Sequence, residues 1–83
     1  MTVKIHPDAE IRMSERGVSH EEIEETANHG EAFDAKYGRQ GFRKNFSFDR
    51  EWRGKFYSVK QVEIYLVKEE AQLLVITVIS KYF

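Results

Sequence analysis

Residues 73–79, LLVITVI, are apolar at odd and even positions alike. A strand with that pattern buries both of its faces, so other layers must cover it on either side. It is placed as the most buried, central strand. Just upstream, Val62, Ile64 and Leu66 alternate with Glu63, Tyr65 and Val67 inside the segment Lys55–Lys68, the signature of a half-buried strand. Farther back, Phe42, Phe46 and Phe48 share one parity, interrupted by Lys44, while Arg43, Asn45 and Ser47 take the other. Asp49–Gly54 and Glu69–Gln72 are polar enough to read as the connecting turns.

The first third of the chain has helical rather than strand periodicity. Pro7 suits a first helical position, Asp8 favours the positive end of the helix dipole, and Gly17 supplies a stop. Ala9 and Met13 fall four apart on one face, with Arg12 and Arg16 as a second row. Ser19 and Glu22 have the spacing of a capping box, and Val18 and Ile23 that of a hydrophobic staple. A second helix is therefore expected from His20 to His29, burying Ile23 and Ala27 and ending at Gly30 in a left-handed cap. The expected fold is α+β in the order α-α-β-β-β, with two helices packed on a three-stranded antiparallel sheet in a single domain over residues 1–83.

With 83 residues, the chain can bury only about 60 % of its unfolded surface, enough for one core. It has no cysteine, which removes disulfides and thiolate metal ligands and is compatible with a reducing compartment. The opening segment has no signal-peptide stretch, and LLVITVI is too short to cross a bilayer. These features give the expectation of a soluble cytoplasmic protein without a membrane association.

The formal net charge of -1 conceals a segregation. Residues 1–34 hold nine acids against three bases, whereas residues 35–62 hold eight bases, two acids and seven of the eleven aromatics. Within that middle segment, REWRGKFY at 50–57 packs three cations and three aromatic rings around Gly54. Cations meet phosphates and aromatic faces stack on bases, so this composition suits a single-stranded nucleic acid. Arg39, Lys44, Arg50 and Trp52 are the candidate nucleic-acid contacts. Trp52, in a charged turn, is assigned to the surface and Phe56 to the core. Interface hot spots are also rich in Trp and Arg, which leaves a protein partner open.

The run Ala9, Arg12, Met13, Arg16, Gly17, Val18, Ser19, Glu22 and Ile23 resembles the hallmark of the domain-of-unknown-function 4258 family, and Leu74-Val75-Ile76-Thr77-Val78 is similar to its closing strand. The resemblance implies a RelE/ParE-like fold and a link to RNA-cleaving toxins of toxin-antitoxin pairs. Family members commonly carry a histidine directly before the alanine, where this chain has Asp8, with His6 two residues earlier. Metal-free RNA cleavage needs charge stabilisation on the phosphate and proton transfer. The residue types matching those of RelE-like toxins are Arg43, Arg53, Lys55, Lys60 and Tyr82. Implied partners are RNA or the ribosome and a cognate antitoxin, and a homodimer stays open.

Gly38-Arg39-Gln40-Gly41 has the spacing of a KH-type backbone clamp, but it precedes a strand instead of joining helices and reads as a flexible loop able to bring Arg39 towards an anion. His6, His20 and His29 lack metal-ligand spacing, and no cofactor is implied. Two functions follow: an RNA-cleaving toxin component, or a noncatalytic protein- or nucleic-acid-binding module. The RNA-cleaving reading requires the cations and the indole of the central stretch to converge outward on one electropositive platform.

Overall fold

The computed structural model describes residues 3–83. Helix α1 spans Pro7–Arg16 and helix α2 His20–His29, preceded by a two-residue strand β1, Lys4–Ile5. Strands β2 (Glu31–Asp34), β3 (Gln40–Trp52), β4 (Lys55–Glu69) and β5 (Gln72–Tyr82) follow. Among the described residues, the sheet therefore has five strands in the order β1-β5-β4-β3-β2, not three. All pairings are antiparallel except β1 with β5, which is parallel. The expected α+β class, with two helices on a largely antiparallel sheet, is retained with two added edge strands.

The central strand is β4, not β5. Long neighbours pair with β4 on both sides, whereas the outer edge of β5 meets β1 only at Leu74 and Val75. Val62, Ile64 and Leu66 of β4 are accordingly buried, with Val75 and Val78 of β5 beside them. Ala9 and Met13 of α1, Val18, and Ile23 and Ala27 of α2 close the core from above. Each large aliphatic side chain buried there is worth roughly 1.5 to 3 kcal/mol.

Local chemistry sets the helix ends. The His6 side chain accepts the Asp8 N–H at 3.0 Å, so this histidine is the N-cap of α1. Ser19 and Glu22 form the reciprocal capping box, at 3.1 and 2.9 Å. Gly17 adopts the left-handed conformation at φ 68°, ending α1. Gly30 differs from expectation: its φ of -77° and ψ of 169° are extended. The chain passes straight into β2, whose Glu31 pairs with Arg43, so no left-handed reversal is needed.

Beyond the core the sheet continues as a long β3–β4 hairpin. The expected turn over Asp49–Gly54 shrinks to two residues, Arg53 and Gly54, at φ 51° and 84°. Two successive positive φ values mark a type I′ turn, whose twist suits a hairpin. The REWRGKFY stretch is thus the hairpin tip, with Trp52 paired to Lys55. Ser58 and Val59 both donate their N–H to the Phe83 carbonyl, at 2.8 and 3.0 Å, the mark of a bulge. That bulge shifts the parity of β4, putting Tyr57 on the same side as Lys60. Phe56 falls on the other side and is 58 % exposed, contrary to its expected core position.

Gly17 has a second constraint. A Cβ there would lie 2.5 Å from Trp52 Cη2, because the indole edge packs beneath the helix end. Gly38, at φ 71°, has open space around it. Gly17→Ala is expected to destabilise the fold by about 2 to 4 kcal/mol, combining left-handed strain with overpacking, and Gly38→Ala by only about 1 to 2 kcal/mol. Urea unfolding of the two variants checks the difference.

Candidate nucleic-acid interface

The two sheet faces divide the central-segment cations. Even-numbered β3 residues, Phe42 to Trp52, face the helical side, as Phe42 and Phe46 pack against the core and Lys44 reaches Glu25 of α2 at 3.8 Å. Arg43 lies on the face without helices. Its guanidinium sits 4.2 Å from the centre of the Phe33 ring, and its nearest carboxylate, Glu31, is 3.9 Å from Nε. That Nε is buried without a hydrogen-bond partner. Arg39 is in the β2–β3 turn, 5.9 Å over the Tyr37 ring and at the opposite end of β3 from the tip. The expected single platform is therefore not formed.

Lys60 is the cation most altered by folding. It follows the same alternation as Val62 and Ile64, which carries it under the helices, where it is 2 % exposed. Its ammonium donates to Glu22 Oε1 at 2.7 Å and to the Gly17 carbonyl. The same Glu22 oxygen accepts the Ser19 N–H of the capping box. One carboxylate thus caps α2 and neutralises the buried lysine, while the lysine also satisfies the carbonyl at the end of α1.

Next to Lys60, Tyr82 is the hub of an aromatic cluster. Trp52 stacks on it with ring centres 5.2 Å apart and planes 14° from parallel. Phe48 meets it edge-on at 5.2 Å, and Tyr57 lies 5.5 Å away. The Tyr82 hydroxyl donates to the Arg16 carbonyl at 2.8 Å, joining Ser80, which donates to the same oxygen at 3.0 Å. Trp52 is consequently a half-buried structural ring between Tyr82 and the end of α1, more than a free surface platform. Burial pushes the Tyr82 phenol above its ordinary value; Ser80 pulls it back in part, and Glu22 adds to the rise.

The remaining tip cations decorate the outside of this cluster. Arg50 lies 4.6 Å over Phe48, Arg53 5.0 Å over Trp52 and Lys55 5.6 Å over Tyr57. All three are exposed. Arg53 also donates to the backbone carbonyl of Glu15. Among the described residues, none of the three has a carboxylate within ion-pair distance, unlike Lys44, Lys60 and Lys81. A cation held on an aromatic face without a carboxylate partner retains donors for an anion, and Arg53 keeps those it does not give to Glu15. Aromatic composition and charge picked out this stretch, Tyr57 included, but the partners Glu22 and Phe48 were missed. The Ser19–Glu22 spacing marked Glu22 only as a cap, and strand parity marked Phe48 only as a sheet residue.

Among the described residues, no group of three or more His, Asp or Glu side chains is placed to hold a metal ion, and no helix is long and apolar enough to cross a membrane. Comparison with family models, with curated proteins and with solved structures finds no match.

Two predictions test this arrangement. Glu22→Gln keeps a capping oxygen but leaves the Lys60 ammonium buried without a counter-charge, so a loss of about 3 kcal/mol is expected. Adding Lys60→Met should recover part of it, giving a coupling of about 1 to 3 kcal/mol in a double-mutant cycle by urea unfolding. The second concerns pH. Because burial raises the Tyr82 phenol, the folded state holds this proton more tightly than the unfolded chain. Its contribution is intact below about pH 10 and is lost as pH rises through the higher folded value. Tyr82→Phe should cost about 1 kcal/mol near neutrality, from the lost hydrogen bond to Arg16. Above about pH 10 its stability should fall less steeply than that of the wild type.

Proposed function

We propose that the chain is a nucleic-acid-binding module whose β3–β4 tip docks on the phosphate backbone of single-stranded RNA. The observation that carries this reading is the sorting of the cations. Arg50, Arg53 and Lys55 stand exposed on aromatic rings without carboxylate partners, whereas Lys44 and Lys60 are turned inward to Glu25 and Glu22. Three such groups on one hairpin end form a compact anion-binding surface in a chain of nearly neutral net charge. Glu21, Glu22 and Glu25 of α2 share a cleft with Arg50 and repel a strand on that side, which favours the outer side of the tip.

The second reading is an RNA-cleaving toxin component, as the resemblance to the domain-of-unknown-function 4258 family implies. It is favoured by the gathering of Lys60, Tyr82, Arg50 and Arg53 around one aromatic cluster. Cleavage would require proton transfer from groups that are engaged here: Lys60 with Glu22 and Gly17, Tyr82 with Arg16. Binding needs no such release, which makes it the better supported of the two. A cytoplasmic location and an RNA or ribosomal partner accompany both readings; an antitoxin accompanies the second. The outer edge of β5 beyond Val75, unpaired by β1, offers a route to a homodimer in either.

Fluorescence anisotropy with a labelled single-stranded RNA, over a series of salt concentrations, tests the proposal. Each phosphate contact contributes about 0.7 to the slope of log affinity against log salt. The combined variant Arg50→Ala, Arg53→Ala and Lys55→Ala should lower that slope by about 2 and leave the fold intact. An unchanged slope sinks the tip as the binding surface. RNA cut by the wild type but not by Lys60→Met would shift the assignment to the toxin reading.

A further inference from the structure

The opposite end of the sheet holds a second group of rings and cations that the tip does not use. Phe33 of β2 lies flat across Gly41 of β3, so close that a Cβ on that glycine would sit 2.3 Å from the ring. Tyr65 meets Phe33 edge-on at 5.7 Å, with planes 85° apart. This aromatic wall faces the side of the sheet that carries no helix. It forms one side of a cleft whose other side is the β2–β3 turn, with Lys36, Tyr37 and Arg39. Among the described residues, Asp34 is the one carboxylate lining it.

Tyr37 is unusual in two respects. It is 87 % exposed, so it contributes almost no burial to folding. It also occupies the left-handed backbone region at φ 62°, followed by Gly38 at 71°, a conformation that a bulky residue adopts only at a conformational cost. Glycine or asparagine would serve the turn better. A large ring kept out in solvent on a strained turn, with the Arg39 guanidinium 5.9 Å from its centre, points to a ligand that covers it.

We propose that this cleft binds a nucleobase carrying a phosphate, with the base stacked on Tyr37 against the Tyr65 side and the phosphate at Lys36 and Arg39. Rings on both walls select a flat ligand, and the two cations select an anionic one. Asp34 is an acceptor suited to the exocyclic amino group of adenine, cytosine or guanine, which uracil lacks. The same chemistry arises from a free mononucleotide or from one unpaired nucleotide of a strand. This site is independent of the hairpin tip.

The test is a titration of the isotope-labelled full chain, followed by nuclear magnetic resonance, with adenosine monophosphate, uridine monophosphate, inorganic phosphate and a short oligoadenylate. Adenosine monophosphate is expected to move the ring signals of Tyr37 and Tyr65 and the amides of 36–39, and to bind more tightly than uridine monophosphate. Phosphate alone should move the amides and leave the rings in place. Tyr37→Gly suits the left-handed turn and so keeps the fold, yet should weaken adenosine monophosphate binding at least about fivefold. Tyr37→Phe should preserve it. The combined tip variant Arg50→Ala, Arg53→Ala and Lys55→Ala should leave this binding unchanged, which separates a failure here from a failure at the tip. In that tip variant, tighter binding of oligoadenylate than of the mononucleotide identifies a strand as the source, and equal binding identifies the free nucleotide. Unmoved tyrosine rings, a response to phosphate equal to that of the nucleotide, or wild-type affinity in Tyr37→Gly overturns the proposal.

Discussion

The buried Lys60 ammonium is the interaction on which the arrangement of helices and sheet depends. It lies on the helical face of β4, beyond the aliphatic core, where an unpaired charge is untenable. Glu22 from the start of α2 and the Gly17 carbonyl from the end of α1 meet it together. The junction between the two helices is thereby pinned to one point on the sheet. Pairs of this kind add little net stability compared with a well-packed apolar substitute, but they are intolerant of alternatives. Their effect here is positional: the end of α1 is held directly over the base of the β3–β4 hairpin.

That position explains the aromatic cluster. Once the Gly17 turn is fixed above the hairpin, its missing side chain leaves room for the indole of Trp52, and the Arg16 carbonyl is placed to accept from Tyr82 and Ser80. Tyr82 then serves as the ring against which Phe48, Trp52 and Tyr57 assemble. A two-stranded hairpin projecting beyond its core is marginal by itself. Packing these rings against α1 stiffens it, so Arg50, Arg53 and Lys55 are presented on a defined surface. A rigid platform loses less conformational freedom on binding than a flexible tip carrying the same charges.

Much of this was legible in the sequence where a local signal and the global fold agree. Pro7, Gly17 and the Ser19–Glu22 box marked both helices, and the alternation of Val62, Ile64 and Leu66 marked β4. Strand β1 has only two residues, and Phe33 is the one large apolar side chain of β2, so neither carries a readable period. Lys60 occupies the position two residues before Val62, and extending that alternation backwards places it in the core. Its partner Glu22 lies 38 residues away, a pairing that only the folded chain brings together. The bulge at Ser58 and Val59 defeats simple alternation, which is why Phe56 leaves its expected core position and Tyr57 joins the rings around Tyr82.

The central claim is that folding sorts the basic residues into paired ones that hold the fold and unpaired ones that meet RNA. Following the side-chain guanidinium and ammonium signals individually by nuclear magnetic resonance, while a single-stranded RNA is added at low salt, tests it directly. The account predicts displacement of Arg50, Arg53 and Lys55, with Lys60 and Lys44 stationary in their carboxylate pairs. Equal displacement of Lys60, or movement confined to Arg43 on the opposite face, would contradict it.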